Sequence, residues 1–285
     1  MQYSPEIFVS IGLPVFNGEE YLSDAIDSLL NQTHATFELI ISDNASNDDT
    51  ARIVAEYAAK DPRIRVFRQA SNIGAAANYL FALAQARAAY FMWASHDDIW
   101  DRDWIRALLS ELRPDDIGVR GEVRFFDERG TLGRRLLPSF PQGGCIRYFL
   151  SDESTYKVHY IYALFHTEKL GLVDLRTLSD PYCPDCFFVY TLLQHGWLRS
   201  TSNTYLNCRI HAANLGGEYS KKWKGWRKIL YRIHPLGYYL TYPLYTRNRL
   251  DRLLIYLMIP IKHAYAQVFF WFRGTRQLVF RRKFY

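Results

Sequence analysis

Over its first 112 residues the chain repeats one unit: a short apolar run, a polar turn, then a stretch with apolar residues at helical spacing. "IFVSIGL" (7–13) reads as a buried strand ended by Pro14. "EEYLSDAIDSLLN" (19–31) sets Leu22, Ile26, Leu29 and Leu30 on one helical face, behind acids that suit a helix N-terminus. "FELIISD" (37–43), "IRVFRQ" (64–69) and "AYFMWA" (89–94) read as further strands. "DDTARIVAEYAAK" (48–60), "GAAANYLFALAQAR" (74–87) and "DWIRALLSEL" (103–112) read as further helices. Such alternation predicts an α/β fold with a mainly parallel sheet flanked by helices. Open sheets of this kind bind ligands beyond the carboxyl ends of their strands. The clusters "NGEE", "DNASNDD" and "HDD" fall at those ends.

Past residue 115 the pattern loosens. "GVRGEVRFFDERG" (118–130) predicts a strand and turn, and "HYIYALFH" (159–166) a strand. "DCFFVYTLLQHG" (185–196) predicts a helix ending at Gly196, and "NTYLNCRI" (203–210) a strand leading to His211. The hydrophobic content of 49% over 285 residues supplies a sizeable core and excludes disorder. The four cysteines form no dense framework, so a reducing cytosol is expected. Cys183 and Cys186 make a C-x-x-C without the second pair that zinc needs or the context of a redox motif, and are read as incidental. The N-terminus has no basic region ahead of its apolar run, so no secretory signal is expected.

Asp97 and Asp98 stand side by side where the fourth strand ends. Adjacent carboxylates repel, so either a divalent cation sits with them or one caps the next helix in a solvated loop. No glycine-rich phosphate loop is present, neither G-x-G-x-x-G after the first strand nor G-x-x-x-x-G-K-[ST]. Diphosphate charge would therefore need a metal. Asp43, on the same rim, suits the imide or amino edge of a nucleobase.

"VSIGLPVFNGEEYLSDAIDSLLNQTHATFELIISDNASNDDT" resembles the opening of family 2 glycosyltransferases, and "SNIGAAANYLFALAQARAAYFMWASHDDIW" continues it in register. The likeness is strong over residues 7–112 and weaker over 113–215. It implies a GT-A fold and a metal-dependent, inverting transfer of a sugar from a nucleotide diphosphate. The family's D-x-D motif falls on Ser95, His96 and Asp97, with serine replacing the first acid. The resemblance makes Asp97 the ligand of Mg²⁺ or Mn²⁺, Asp98 its neighbouring support and His96 the middle residue. It lines the nucleotide site with Pro14, Phe16 and Glu19, sets Asp43 on the base, and puts Asn72 and Gly74 in the loop after the third strand. Phe16 either stacks on the base or anchors its loop. The family's general base falls on Asp185, with Pro184 where a companion acid usually stands; from the residues alone Asp185 reads equally as a first-turn helix acid. His211, in "CRIHAAN", matches a histidine that meets the metal or the diphosphate, a structural histidine being the other reading. The departures at Ser95 and Pro184 leave open a module whose chemistry has lapsed and which binds a glycan or a partner.

Residues 221–285 carry 15 Lys and Arg against one Asp and hold 16 of the 46 aromatic residues, whereas residues 1–220 carry 20 basic and 28 acidic side chains. The apolar run 253–272 is broken by Pro260, Lys262, His263 and Gln267, and makes a poor transmembrane span. Aromatic rings interleaved with cations suit helices lying on an anionic leaflet. A helical subdomain packed on the core and a re-entrant hairpin broken at Pro260 are the other readings. The expected organisation is a catalytic domain over 1–215, divided near residue 112 into nucleotide- and acceptor-binding halves, and a C-terminal helical segment over 216–285. A cytoplasmic enzyme peripheral to the inner face of the membrane would take a nucleotide-diphosphate sugar and a glycan or polyprenyl-linked acceptor. Nucleic acid is not an expected partner.

Overall fold

The computed structural model describes residues 4–151, 155–173, 177–178, 184–211 and 236–281. They fall into two compact units, Met1–Gly143 with Tyr156–His211, and Gly144–Thr155 with Ala212–Tyr285.

The first unit is built on one sheet. β1 (Val9–Val15), β2 (Phe37–Asp43), β3 (Ile64–Arg68) and β4 (Tyr90–Trp93) are parallel, in the order β3-β2-β1-β4. β1, β2 and β4 are buried along their whole length, whereas the edge strand β3 is buried only at Ile64, and the helices of this half are α1 (Leu22–Leu30), α2 (Thr50–Lys60), α3 (Ala75–Ala84) and α4 (Trp104–Glu111). Val9, Ile11, Leu13, Leu22, Ile26, Leu39, Ile41, Met92, Trp104 and Leu108 form one buried cluster. Beyond β4 the direction reverses through β8 (Leu164–His166), which is antiparallel to both β4 and β6 (Asp116–Asp127). β9 (Trp197–Arg209) runs parallel to β6 and carries the short β5 (Ile99–Trp100) on its outer edge, while β7 (Gly130–Arg135) hairpins onto β6. α6 (Thr167–Leu170) follows β8, and α7 (Pro184–Leu192) is buried from Cys186 to its end.

Three sequence expectations change. Pro14 does not end the first strand; it lies within β1, opposite Ser42. Gly12 bonds toward β4 and Val15 toward β2, so the nitrogen of Pro14 faces the β4 side, where β4 has already stopped and no ladder bond is lost. Residues 159–162 are not a strand but the end of a 3-10 segment, Thr155–Tyr162, and only Leu164–His166 pairs in the sheet. The helix over 185–196 stops at Leu192. Gly196 then passes against the 115–117 backbone, where a Cβ would come within 2.7 Å of the Asp115 carbonyl.

β6 and β9 are held against α4 by a glycine. A Cβ at Gly121 would lie 2.4 Å from Cζ3 of Trp104 and 2.6 Å from the Thr204 carbonyl. Neither a buried indole nor backbone yields easily. Gly121→Ala is expected to cost about 3 kcal/mol, or about 6–12 °C in Tm, whereas Gly133→Ala, whose Cβ would meet nothing within 4 Å, should unfold with the wild type. Thermal denaturation followed by circular dichroism checks both.

The second unit packs α5 (Cys145–Leu150), α8 (Leu236–Tyr245) and α9 (Arg249–Arg281). Phe149 of α5 meets the rings of Tyr239 and Tyr242 edge-on at 6.0 and 5.1 Å. Lys262 does not interrupt this packing. It is buried, and its ammonium donates to the carbonyls of Leu150 (3.1 Å) and Ser151 (2.7 Å), capping the negative end of α5. The opposite side of α9 exposes Leu250, Leu253, Leu257, Ile261 and Tyr265, one residue per turn. Among the described residues no helix is long and apolar enough to cross a membrane. Residues 221–235, the most basic part of the tail, lie outside the described residues.

Candidate active site

The loops after β1, β2 and β3 are stitched together at the carboxyl edge of the sheet. The Asn17 amide, at φ 51°, donates to the Ser46 hydroxyl at 2.9 Å, and Asn17 Oδ1 accepts from the Asn47 amide. The Gly18 amide donates to Thr50 Oγ1 at 2.8 Å. Glu19 accepts the Asp49 amide at 2.8 Å, just ahead of α2, so this acid braces the next helix as well as lining the rim. Phe16 is exposed at the start of the same loop. Gly18 leaves room for His96: a Cβ there would come 2.8 Å from the imidazole Cδ2.

Asp43 ends β2. Its Oδ1 accepts the Ser46 amide at 2.9 Å; its Oδ2 is buried and without a hydrogen bond, although the Arg68 guanidinium stands 3.3 Å away. The charge is balanced while a directed acceptor stays vacant. Asn72 Oδ1 accepts both the Asn44 side-chain amide (3.0 Å) and the Gly74 amide (2.8 Å), which fixes the loop ahead of α3. Gly74 has φ 86°, a conformation that side-chain-bearing residues rarely adopt, and opens α3 against empty space.

The adjacent acids face different ways. Asp97 points toward His211, whose Nε2 lies 3.0 Å from Asp97 Oδ2, and the Ser95 hydroxyl donates to its other oxygen. Burial pushes the Asp97 carboxyl up, but His96, the Ser95 hydroxyl and His211 outweigh it and the group ends below the usual carboxylate range. Burial in turn lowers His96, favouring its neutral form. Asp98, expected as a support beside Asp97, is turned inward. It is 3% exposed, accepts the Arg209 amide at 3.0 Å and is hydrogen-bonded to Cys208. Burial, then the charge of Asp97, lifts it to about 8. One acid of the pair therefore serves the rim and the other holds β9.

Arg209, left aside at the sequence level, is the clamp of this corner. Its guanidinium donates to the Asp97 carbonyl (3.0 Å) and to Asp24 of α1 (2.7 Å), and lies over the rings of Tyr21 and Phe126. Tyr21 also packs 4.8 Å from the His211 ring.

Asp185 is the second residue of α7 and is half-buried. Burial alone raises its carboxyl to about 6. Cys186 beside it is disulfide-bonded; Cys183, the other half of the C-x-x-C, lies outside the described residues.

The family described as Glycosyl transferase family 2 matches residues 10–171. An uncharacterized glycosyltransferase of Rickettsia prowazekii is 37% identical over 248 residues, which cover 80% of this chain and 73% of that one. The putative glycosyltransferase EpsE of Bacillus subtilis is 34% identical over 148 residues, 50% of this chain and 52% of its own. This chain spans only 22% of the length of a related Rickettsia felis glycosyltransferase. Among solved structures, residues 1–349 of Staphylococcus aureus TarS superpose with a TM-score of 0.55 at 17% identity, covering 90% of this chain and 87% of that one, and the same protein has been solved with UDP-GlcNAc. The two share the α/β fold of a GT-A glycosyltransferase.

Proposed function

Because the chain belongs to glycosyl transferase family 2, we propose that it moves a sugar from a nucleoside-diphosphate donor to an acceptor hydroxyl, with inversion at the anomeric carbon. The observation that carries the reading is the meeting of Asp97 and His211, 114 residues apart, at the carboxyl edge of the sheet where an α/β fold takes its ligands. A carboxylate and an imidazole suit Mn²⁺ or Mg²⁺, and among the described residues no third acid, cysteine or histidine joins them. A divalent cation so held supplies charge neutralisation for the departing diphosphate.

The chain's own groups do the rest. Asp43 offers its vacant oxygen to an N–H of the nucleobase, and the exposed ring of Phe16 stacks beside it. Ser95 orients Asp97, while Asp98 and Arg209 hold the turn that carries it. Asp185 takes the proton of the acceptor hydroxyl as its oxygen bonds to the anomeric carbon and the bond to the diphosphate breaks. A base near 6 is ionised at neutral pH and still basic enough for this task. UDP-GlcNAc, the ligand solved with TarS, is the first donor to try within a panel of UDP- and GDP-hexoses. Release of nucleoside diphosphate should require Mn²⁺ or Mg²⁺. Nucleotide binding without turnover across the panel and a set of acceptors would favour the lapsed module.

The acceptor fits a polyprenyl-linked or growing surface glycan, because the second unit suits an anionic membrane surface. Its α9 exposes an apolar stripe, and residues 221–285 carry 15 cations against one acid. The full chain should sediment with phosphatidylglycerol vesicles and much less with phosphatidylcholine ones. The double substitution Leu253→Glu and Leu257→Glu should weaken vesicle binding by more than about tenfold, each apolar side chain contributing about 1.5 kcal/mol or more. Binding as tight as the wild type would remove the membrane from this reading.

A further inference from the structure

Two tyrosines that the sequence did not single out lie near enough to the Asp97 turn and to Asp185 for their hydroxyls to feel the charge of both. Tyr79 lies on α3 and Tyr162 closes the 3-10 segment, and their hydroxyls are hydrogen-bonded to each other. Each is anchored to a catalytic element. The Tyr79 carbonyl accepts Trp93 Nε1–H at 3.0 Å, and its ring lies 6.2 Å from the same indole. Trp93, two residues before Ser95, packs edge-on at 5.4 Å against Phe188, one turn along α7 from Asp185. Tyr162 meets Trp100, two residues after Asp98, edge-on at 5.8 Å. Both phenols are half-buried.

Burial first, and then neighbouring charge, raises both hydroxyls; the contributing acids are in each case Asp97, Asp98 and Asp185. The pair thus stays protonated and neutral beside Asp97 and Asp185, the two acids that the transferase reading puts at opposite ends of the reaction. Two phenols carry two O–H donors and several lone pairs, and their mutual bond uses one donor. The other O–H and the lone pairs suit a polyhydroxylated ring. In an in-line displacement that ring lies between the diphosphate and the base.

We infer that Tyr79 and Tyr162 form the wall that recognises the donor's sugar, their hydroxyls binding its ring hydroxyls or acylamino group and setting which sugar is accepted. The inference rests on the transferase reading of Asp97 and Asp185. Neither residue is given a part in proton transfer; they are positioning and specificity residues.

The test is calorimetric titration of the full chain in Mn²⁺ with UDP and with a panel of UDP-hexoses, for wild type, Tyr79→Phe, Tyr162→Phe and the double variant. The expected result is unchanged affinity for UDP in all four proteins. The preferred UDP-hexose should bind about tenfold more weakly in each single variant, the loss of one hydrogen bond to a ligand. The preference among hexoses should shrink with it, and the double variant should lose less than the product of the singles, because the two hydroxyls act as one bonded pair. A merely structural role would weaken UDP and UDP-hexose together and lower Tm, and would overturn the inference. So would variants that keep both the affinity and the preference of the wild type. A wild type that binds neither UDP nor GDP in the presence of Mn²⁺ would instead refute the transferase reading itself, and the inference with it.

Discussion

Asp185→Asn is expected to lower sugar transfer by about a thousandfold while leaving nucleotide-sugar affinity nearly unchanged. Asparagine keeps the shape of the side chain and its place in the first turn of α7, so what is lost is the acceptor of a proton. The affinity should survive because the proposed donor contacts are on β1, β2 and the Asp97 turn, none of which the substitution touches. The pH profile identifies the same group. Burial raises Asp185 to about 6, and the base must be ionised to act, so wild-type turnover should fall tenfold per pH unit below about 6 and level off above it. The residual activity of the variant should lack that limb. Steady-state kinetics with saturating donor between pH 5 and 8 checks both points, and an Asp185→Asn protein that transfers sugar at the wild-type rate removes Asp185 from the mechanism.

Asp97→Ala should abolish metal-dependent nucleotide binding and lower turnover by about a thousandfold or more, the loss of several kcal/mol of charge stabilisation. The substitution deletes one of two converging side chains and leaves His211 without its carboxylate partner at 3.0 Å. Asp98 cannot take over, because it is buried against Arg209 and Cys208. Asp98→Ala should behave differently. It should destabilise the fold as well as the site, since its removal deletes a buried acceptor of the Arg209 amide and its hydrogen bond with Cys208. Isothermal titration with UDP, with and without Mn²⁺, together with Tm, separates the two. UDP binding by Asp97→Ala that still depends on Mn²⁺ would show that the cation is held elsewhere.

The first half of the chain was legible because β1, β2 and β4 are buried throughout and its helices are amphipathic. Phe37–Asp43 is the strand the residues imply, and the other elements shift by only a few residues, as at Leu22 and Thr50, where acids drawn into the helices belong to the loops before them. The second half was harder, because long-range pairing and not local pattern decides it. The run at 159–166 is continuously apolar like a buried strand, yet Tyr160 and Ile161 are buried by packing in a 3-10 turn. β5 is two residues long and exists only through its pairing with Asn207 and Leu206. At the site, Asp97, His211, Asp43 and Asp185 were named from the chain, and the family resemblance made Asp98 a support beside Asp97, but that Asp98 would be buried against β9 was not legible. Nothing local tells which acid of an adjacent pair will meet a strand arriving from residue 209. Tyr79 and Tyr162 were missed for a related reason: an aromatic on a helix or in an aromatic run reads as core until its hydroxyl is seen to have a neighbour.

The bond from Asp98 to Arg209 spans 111 positions of the chain. During synthesis, Asp97 therefore leaves the ribosome long before the strand that will complete its surroundings. β1 to β4 pair through contacts within the first hundred residues, but Asp97 meets His211 only once the strand ending at Arg209 has been made. On the proposed reading the cation site closes only when β9 docks, so a half-made chain is spared from spending activated sugar on water.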